Sequence, residues 1–195
     1  MQIKIVHGTA VTPHIADLAR LRIEVFRAFP YLYEGSEDYE VSYLATYAQS
    51  PESFFALALD GERIVGASTG VPMTDASEVF RAPFVAAGVD PQKVFYFGES
   101  VLLSTYRGRG LGVRFFEERE TYARSLGRFD WCAFCAVDRP ADHPLRPADY
   151  VPLDAFWEKR GYRRRAELAT MLAWQDIGEA EEREKPMTFW LKPAR

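Results

Sequence analysis

Histidine and cysteine are scarce here: three His and two Cys in 195 residues. His7, His14 and His143 are scattered and form no metal-ligand spacing, so no metal is expected. Cys132 and Cys135 are too few for a disulfide framework and suit a reducing compartment. They sit three apart inside an apparent strand, where such residues face opposite sides. A shared metal or a disulfide is awkward in that arrangement, and no helix N-terminus is present to build a redox motif. Two packed thiols are expected instead. Positive charge is not in excess either. Lys and Arg number 24 against 28 Asp and Glu, a net charge of −4, which argues against a general nucleic-acid role. No apolar run approaches the roughly 20 residues that span a bilayer, so no membrane partner is expected. The opening MQIKIVHGTAVTP has no apolar core for a secretory signal, and the cytoplasm is the expected location. No repeat or low-complexity stretch is visible.

What is present is a composition of 48% hydrophobic and 27% charged residues, that of a soluble globular protein. The length fits one domain, 1–195, with a full core. Gln2 to Val6 alternates as a strand does. Thr12-Pro13 opens a helix, with Ile15, Leu18, Ala19, Arg22, Val25 and Phe26 at helical spacing. Pro30 ends it, before the aromatic turn Tyr31-Leu32-Tyr33-Glu34-Gly35. A second helix is expected over Tyr39 to Ala48. Phe54 to Leu59 and Arg63 to Val71 read as a hairpin turning at Asp60-Gly61. Ser77 to Ala87 reads as a helix despite Pro83, or as a lid over a pocket.

The densest signal is VFYFGESVLLSTYRGRGLGVRFFEERETYARSL, Val94 to Leu126. Val94 to Leu103 is rich in β-branched and aromatic residues, as a core strand is. Arg107, Gly108, Arg109, Gly110, Leu111 and Gly112 then turn the chain into an amphipathic helix. Its apolar side carries Leu111, Phe115, Phe116, Tyr122, Ala123 and Leu126. A helix that starts in a glycine turn aims unpaired N–H groups at one spot and carries partial positive charge there. Two arginines add full charges, and phosphate is the anion that suits such a site. An ordinary glycine turn with solvated arginines is the alternative. The spacing GxGxG lacks the Gly-Lys-Ser/Thr of a nucleoside-triphosphate loop and is not the dinucleotide GxGxxG.

Strands are also expected at Phe129 to Val137, Leu168 to Trp174 and Met187 to Leu191. A short helix is expected over Leu153 to Lys159, and a surface turn over Glu179 to Lys185. Between Val137 and Leu153 the chain is loop, because four prolines exclude helix and central strand. Arg160, Arg163, Arg164 and Arg165 cluster locally; a solvated face is the plain reading, contact with a nucleotide phosphate the other.

Arg107, Gly110 and Gly112, between strand and helix, resemble the pyrophosphate loop of the GNAT superfamily of acyl-CoA N-acyltransferases, whose pattern is Arg/Gln-x-x-Gly-x-Gly/Ala. Phe156-Trp157-Glu158-Lys159-Arg160-Gly161-Tyr162 resembles that family's Phe-Tyr-Glu-x-x-Gly-Phe/Tyr. The resemblance implies an α/β fold: a central mixed sheet with helices on both faces and a splayed middle pair of strands. It implies acetyl-CoA as cosubstrate, bound by Arg107 to Val113 and by main-chain groups of Val101, Leu102 and Leu103. The partner implied is a small-molecule or peptide amine, acylated by direct transfer; a homodimer is compatible with it. A non-catalytic acyl-CoA-binding regulator on the same fold is the alternative.

A glycine beside an acid, Gly98-Glu99, suggests a bulge in the core strand. Glu99 falls at a base position used by several family members, and an apolar setting beside Phe95, Tyr96 and Phe97 makes a carboxyl a better proton acceptor. Pairing with an arginine from the Arg20 to Arg27 stretch is the competing role. Where the family usually places a tyrosine acid, this chain has Trp157, so no acid is assigned. Tyr150 and Tyr162 are other phenols nearby in sequence. Phe29, Tyr31, Tyr33 and Glu34 are candidates to receive the amine, since aromatic faces and a carboxylate both suit a cation. The proline-rich loop is either a connector or a wall of the same pocket.

Overall fold

The computed structural model describes all 195 residues. Its strands are β1 (Gln2–His7), β2 (Phe54–Asp60), β3 (Arg63–Pro72), β4 (Val94–Tyr96), β5 (Ser100–Leu102), β6 (Trp131–Val137), β7 (Arg163–Trp174) and β8 (Arg183–Pro193). The helices are α1 (Ile15–Phe26), α2 (Glu37–Gln49), α3 (Glu78–Ala86), α4 (Leu111–Ser125) and α5 (Asp154–Glu158). One sheet runs through the chain in the order β1-β2-β3-β4-β6-β8-β7, with β5 paired to β3 beside that path. Only β4 and β6 pair in parallel; the other pairs are antiparallel, so the sheet is mixed. Helices cover both faces, as expected from the order of elements. No helix is long and apolar enough to cross a membrane.

Most elements fall where the periodicity places them, with ends that differ for physical reasons. Thr12 does not cap the first helix: residues Gly8–His14 form a 3-10 turn, and α1 begins at Ile15 without a side-chain cap. The second helix starts two residues early because Ser36 accepts a hydrogen bond from the Tyr39 N–H. The β2–β3 hairpin turns at Gly61-Glu62 rather than Asp60-Gly61, since Asp60 still pairs with Arg63 and Gly61 takes the positive φ of 59°. β7 begins at Arg163, so three arginines read as a surface cluster belong to a strand.

The chief correction concerns Val94 to Leu103, which is not one strand but two. β4 pairs with β3 and β6 and ends at Tyr96, with Phe97 donating one more bond to the Ala133 carbonyl. There the chain bulges. Gly98 N–H donates to the Thr69 carbonyl, Glu99 N–H to Thr69 Oγ1, and Thr69 N–H back to the Glu99 carbonyl. Two residues thus face one, which resets the alternation of side chains. Phe97 lies under the α4 residues Arg119 and Phe116. Without the extra residue Glu99 would share that face; with it, Glu99 turns toward α1 and Ser100 toward α4. Glycine is required at 98: a methyl there would lie 2.7 Å from Thr69 Oγ1 and 2.9 Å from the Tyr47 hydroxyl. Past the bulge β5 follows β3 alone, β6 follows β8 alone, and the sheet opens between them.

Candidate functional site

The turn before α4 leaves a run of main-chain donors free, an arrangement that suits an anion. Gly108 and Gly110 take φ of 74° and 81°, a region that side chains disfavour. Gly110 caps the helix in this left-handed state. The N–H groups of residues 108 to 112 donate to no atom of the protein. Five consecutive free donors at a helix start form a nest for a phosphate or diphosphate. Gly112 differs: a methyl there would meet the Phe156 ring of the α5 segment at 3.4 Å, an ordinary packing contact, so neither space nor φ demands glycine. Arg107 reaches back to the Leu102 carbonyl, linking the nest to the open strand.

The free edge of β5 differs in part from expectation. Leu103 N–H bonds the Val65 carbonyl and Thr69 N–H the Glu99 carbonyl. In an antiparallel ladder that parity commits both main-chain groups of Val101 to β3. Ser100 and Leu102 therefore present theirs to the opening, while Val101 and Leu103 do not. Of the three residues assigned main-chain contacts, Leu102 alone keeps that geometry, and Ser100 was missed.

On the opposite face, Glu99 is buried and meets Arg22 of α1, with Nη1 and Oε2 2.5 Å apart. The contact is an ion pair whose angles miss a hydrogen bond, since neither atom has an aligned partner. Arg22 is held from the other side by the fully buried Glu40 of α2. Its guanidinium also lies 4.6 Å from the Tyr43 ring centroid. Two carboxylates thus share one guanidinium, leaving one negative charge. Arg22 is raised well above the usual arginine range: burial works against its charge, and Glu99 and Glu40 more than offset that.

One cavity of about 1270 Å³ joins these parts. It runs from Arg107 and the glycine turn along Ser100 and Leu102 to Glu99, Arg22 and Glu40, and ends among aromatic rings. Phe29, Tyr31, Tyr33 and Glu34 all line it, as their sequence position suggested. So do Pro147, Asp149, Tyr150 and Val151, which makes the proline-rich loop a wall rather than a free connector. Tyr150 meets the Phe29 ring edge-on at 4.6 Å. Arg139 pins the aromatic turn by donating to the Pro30 and Tyr31 carbonyls and, bidentately, to Asp176. Glu34 is drawn aside to an exposed pair with Arg27.

The phenols sort by burial. Tyr162 is core: its hydroxyl donates to Glu120, and burial pushes its ionisation far up. Trp157 packs edge-on between Phe134 and Trp190. Tyr31, Tyr33, Tyr43, Tyr96 and Tyr150 line the cavity, all shifted upward chiefly by burial. The cysteines are free and buried on opposite faces. Tyr96 and Cys135 touch at 3.3 Å, whereas the Cys132 thiol feels Glu120 and Lys192. Burial pushes each thiol up to about 12, so neither is a thiolate nucleophile at neutral pH. The arginine cluster disperses: Arg164 pairs with Asp138, Arg165 with Glu167, and Arg160 lies on the Phe156 ring. No group of three or more His, Cys, Asp or Glu side chains converges to hold a metal ion.

Sequence reasoning missed Glu40, Ser100 and Arg119. Arg119 left a signal: it continues the apolar series Leu111, Phe115 at i+4, where a charge is out of place.

Among solved structures, a protein from Acinetobacter baylyi ADP1 assigned to the acetyltransferases superposes with a TM-score of 0.64 at 15% identity, covering 98% of this chain and 92% of that one. A ribosomal-protein-alanine N-acetyltransferase from Brucella melitensis gives 0.59 at 15%, covering 97% and 99%. An aminoglycoside 6'-acetyltransferase type Ii gives 0.57 at 19%, covering 98% and 97%. At such identities the likeness speaks for the fold alone. No curated protein matches the chain. The Acetyltransferase (GNAT) family matches residues 18–162, which span the nest, the bulge and the opened sheet. By that match the chain belongs to the GNAT acetyltransferases and is an acyltransferase.

Proposed function

We propose that the whole chain, 1–195, acts as one domain that transfers an acetyl or related acyl group from acyl-CoA directly to a primary amine, in the cytoplasm. The observation that carries this is the single cavity leading from five free N–H groups, past the free edge of β5, to Glu99. The nest of residues 108–112, flanked by Arg107 and Val113, takes the diphosphate, and the main-chain groups of Ser100 and Leu102 pair with the amide-bearing arm that follows it.

Glu99 is the base that takes the amine's proton. Its pairing with Arg22 does not disqualify it, because Glu40 already balances that guanidinium. Protonating Glu99 takes the three groups from a charge of −1 to zero. The unaligned Oε2 retains acceptor capacity for an N–H. Carboxylates and aromatic faces around Phe29, Tyr31, Tyr33 and Tyr43 suit a cationic amine before it is deprotonated. The neighbours' names span a ribosomal-protein alanine and an aminoglycoside, and the amine here falls in the same broad class of small-molecule or peptide amines.

The test is release of free thiol from acetyl-CoA against a panel of amines: amino acids, polyamines, aminoglycosides and short peptides. Amine-dependent release supports the reading. Absence of release with every amine, in protein that binds acetyl-CoA by calorimetry, overturns it.

A further inference from the structure

We propose that the Ser100 hydroxyl, backed by Arg119, donates the hydrogen bond that stabilises the departing sulfur when the thioester breaks. This rests on the acyl-transfer reading above.

The bulge divides the two halves of the reaction between the two faces of the sheet. Glu99 turns to α1 and α2, and Ser100 turns to α4, the helix whose start forms the nest. Acyl-CoA reaches the splay from the α4 face, so its sulfur leaves on the side of Ser100. There Ser100 is exposed and lines the cavity. Its Oγ accepts from Arg119 Nη2 at 2.8 Å, and its own hydrogen has no acceptor in the protein. An oxygen that already accepts from a cation donates more strongly through its remaining hydrogen.

Arg119 is unusual in itself. It is 2% exposed, yet no carboxylate lies within ion-pair distance. Its contacts are the carbonyls of Phe115, Thr69 and Glu99, the Ser100 hydroxyl, and the ring faces of Phe97 and Phe116. An unpaired buried charge is costly. It is repaid where an anion forms beside it. Burial lowers Arg119 to about 10, which leaves it cationic at neutral pH. Trp157, where the resemblance implies a tyrosine acid, has no ionisable proton to supply.

The step balances as follows. The amine nitrogen bonds to the thioester carbon, the C–S bond breaks, and its electron pair goes to sulfur. The amine's proton goes to Glu99. Ser100 keeps its proton and shares it in a hydrogen bond; the thiolate then takes a proton from water, and Glu99 returns its proton to the hydroxide so formed, which restores the carboxylate. Ser100 is a catalytic residue in this scheme and Arg119 a positioning residue.

The test uses an amine that the wild-type protein acetylates. Ser100→Ala lowers kcat about 100-fold, as loss of one donor to a developing anion does, with acetyl-CoA affinity unchanged by calorimetry. Ser100→Thr, which restores the hydroxyl, recovers most of kcat. Arg119→Gln lowers kcat similarly, and the double variant falls no further, because the pair acts as one unit. Wild-type kcat in Ser100→Ala, or equal impairment in Ser100→Thr and Ser100→Ala, overturns the proposal and leaves the acyl-transfer reading standing. A wild-type protein that acetylates no amine overturns that reading, and this one with it.

Discussion

The two ends of the cavity are built in opposite ways. The nest is a run of consecutive residues, 108 to 112, and its donors are main-chain groups. The other end, the proposed amine site, is assembled from Arg22 of α1, Glu40 of α2, Glu99 at the bulge, the aromatic turn and Tyr150 of the distant loop. A contiguous main-chain site tolerates change in most side chains and fails at the glycines. An assembled side-chain site is open to variation at each contributor, which suits an end that selects among amines.

The largest effect should come from the assembled end. Glu99→Gln keeps size but removes the proton acceptor, and turnover should fall about 10²–10⁴-fold at neutral pH. Arg22 remains paired with Glu40, so the fold persists. Activity should recover partly at high pH, where more of the amine is already neutral. A pH–rate profile identical to wild type would remove Glu99 from the mechanism.

At the nest the corresponding change is Gly110→Asp. It forces a side chain into φ of 81° and sets a negative charge among donors meant for an anion. The strain costs the fold about 1–2 kcal/mol, and the misplaced charge should weaken acyl-CoA affinity about 100-fold. Calorimetry on folded protein reads it, with the amine's KM as the control that should not move. Equal loss at both ends would mean that the cavity does not divide its labour as drawn.

The loop wall should give a smaller effect. Tyr150→Ala removes the edge-on contact with Phe29, a contact of about 0.5–1.5 kcal/mol. The amine's KM should rise about 3–10-fold while acyl-CoA affinity stays constant. A change in acyl-CoA affinity instead would reassign the loop to the nest side.

The same contrast explains what could be read from the sequence. The nest was legible because glycine spacing, strand and helix lie in one stretch. The helices and strands were legible from their periodicity. Glu99 could be read as an acid at a bulge, and its pairing with an arginine of the Arg20 to Arg27 stretch was one of its two expected roles; Arg22 makes that pair. What escaped depends on parity and on distant contacts. A bulge that adds one residue decides that Ser100 and Leu102, not Val101 and Leu103, face the opening, and no composition rule carries that register. Glu40 has an ordinary place in an acidic first turn of α2 and becomes a buried ion only when α1 packs beside it.

The smallest effect on activity is expected from the cysteines, and it separates chemistry from packing. Cys135 lines the cavity and Cys132 lies on the other face, so a nucleophilic role for either would collapse the contrast between a main-chain nest and a carboxylate base. Both thiols are pushed up to about 12 by burial. In the unfolded chain a thiol ionises near about 8.5. The folded state therefore holds protons that the unfolded state releases, and stability must fall as pH rises above that value, continuing toward about 12. Each thiol contributes a slope of about 1.4 kcal/mol per pH unit inside this window and none below it. Cys132→Ala and Cys135→Ala should each keep wild-type turnover at neutral pH. Urea midpoints followed from pH 7 to pH 10 should decline less steeply in the double variant than in the wild type. Identical slopes would mean that the thiols are not desolvated, and loss of turnover in a folded Cys135→Ala protein would return sulfur to the mechanism.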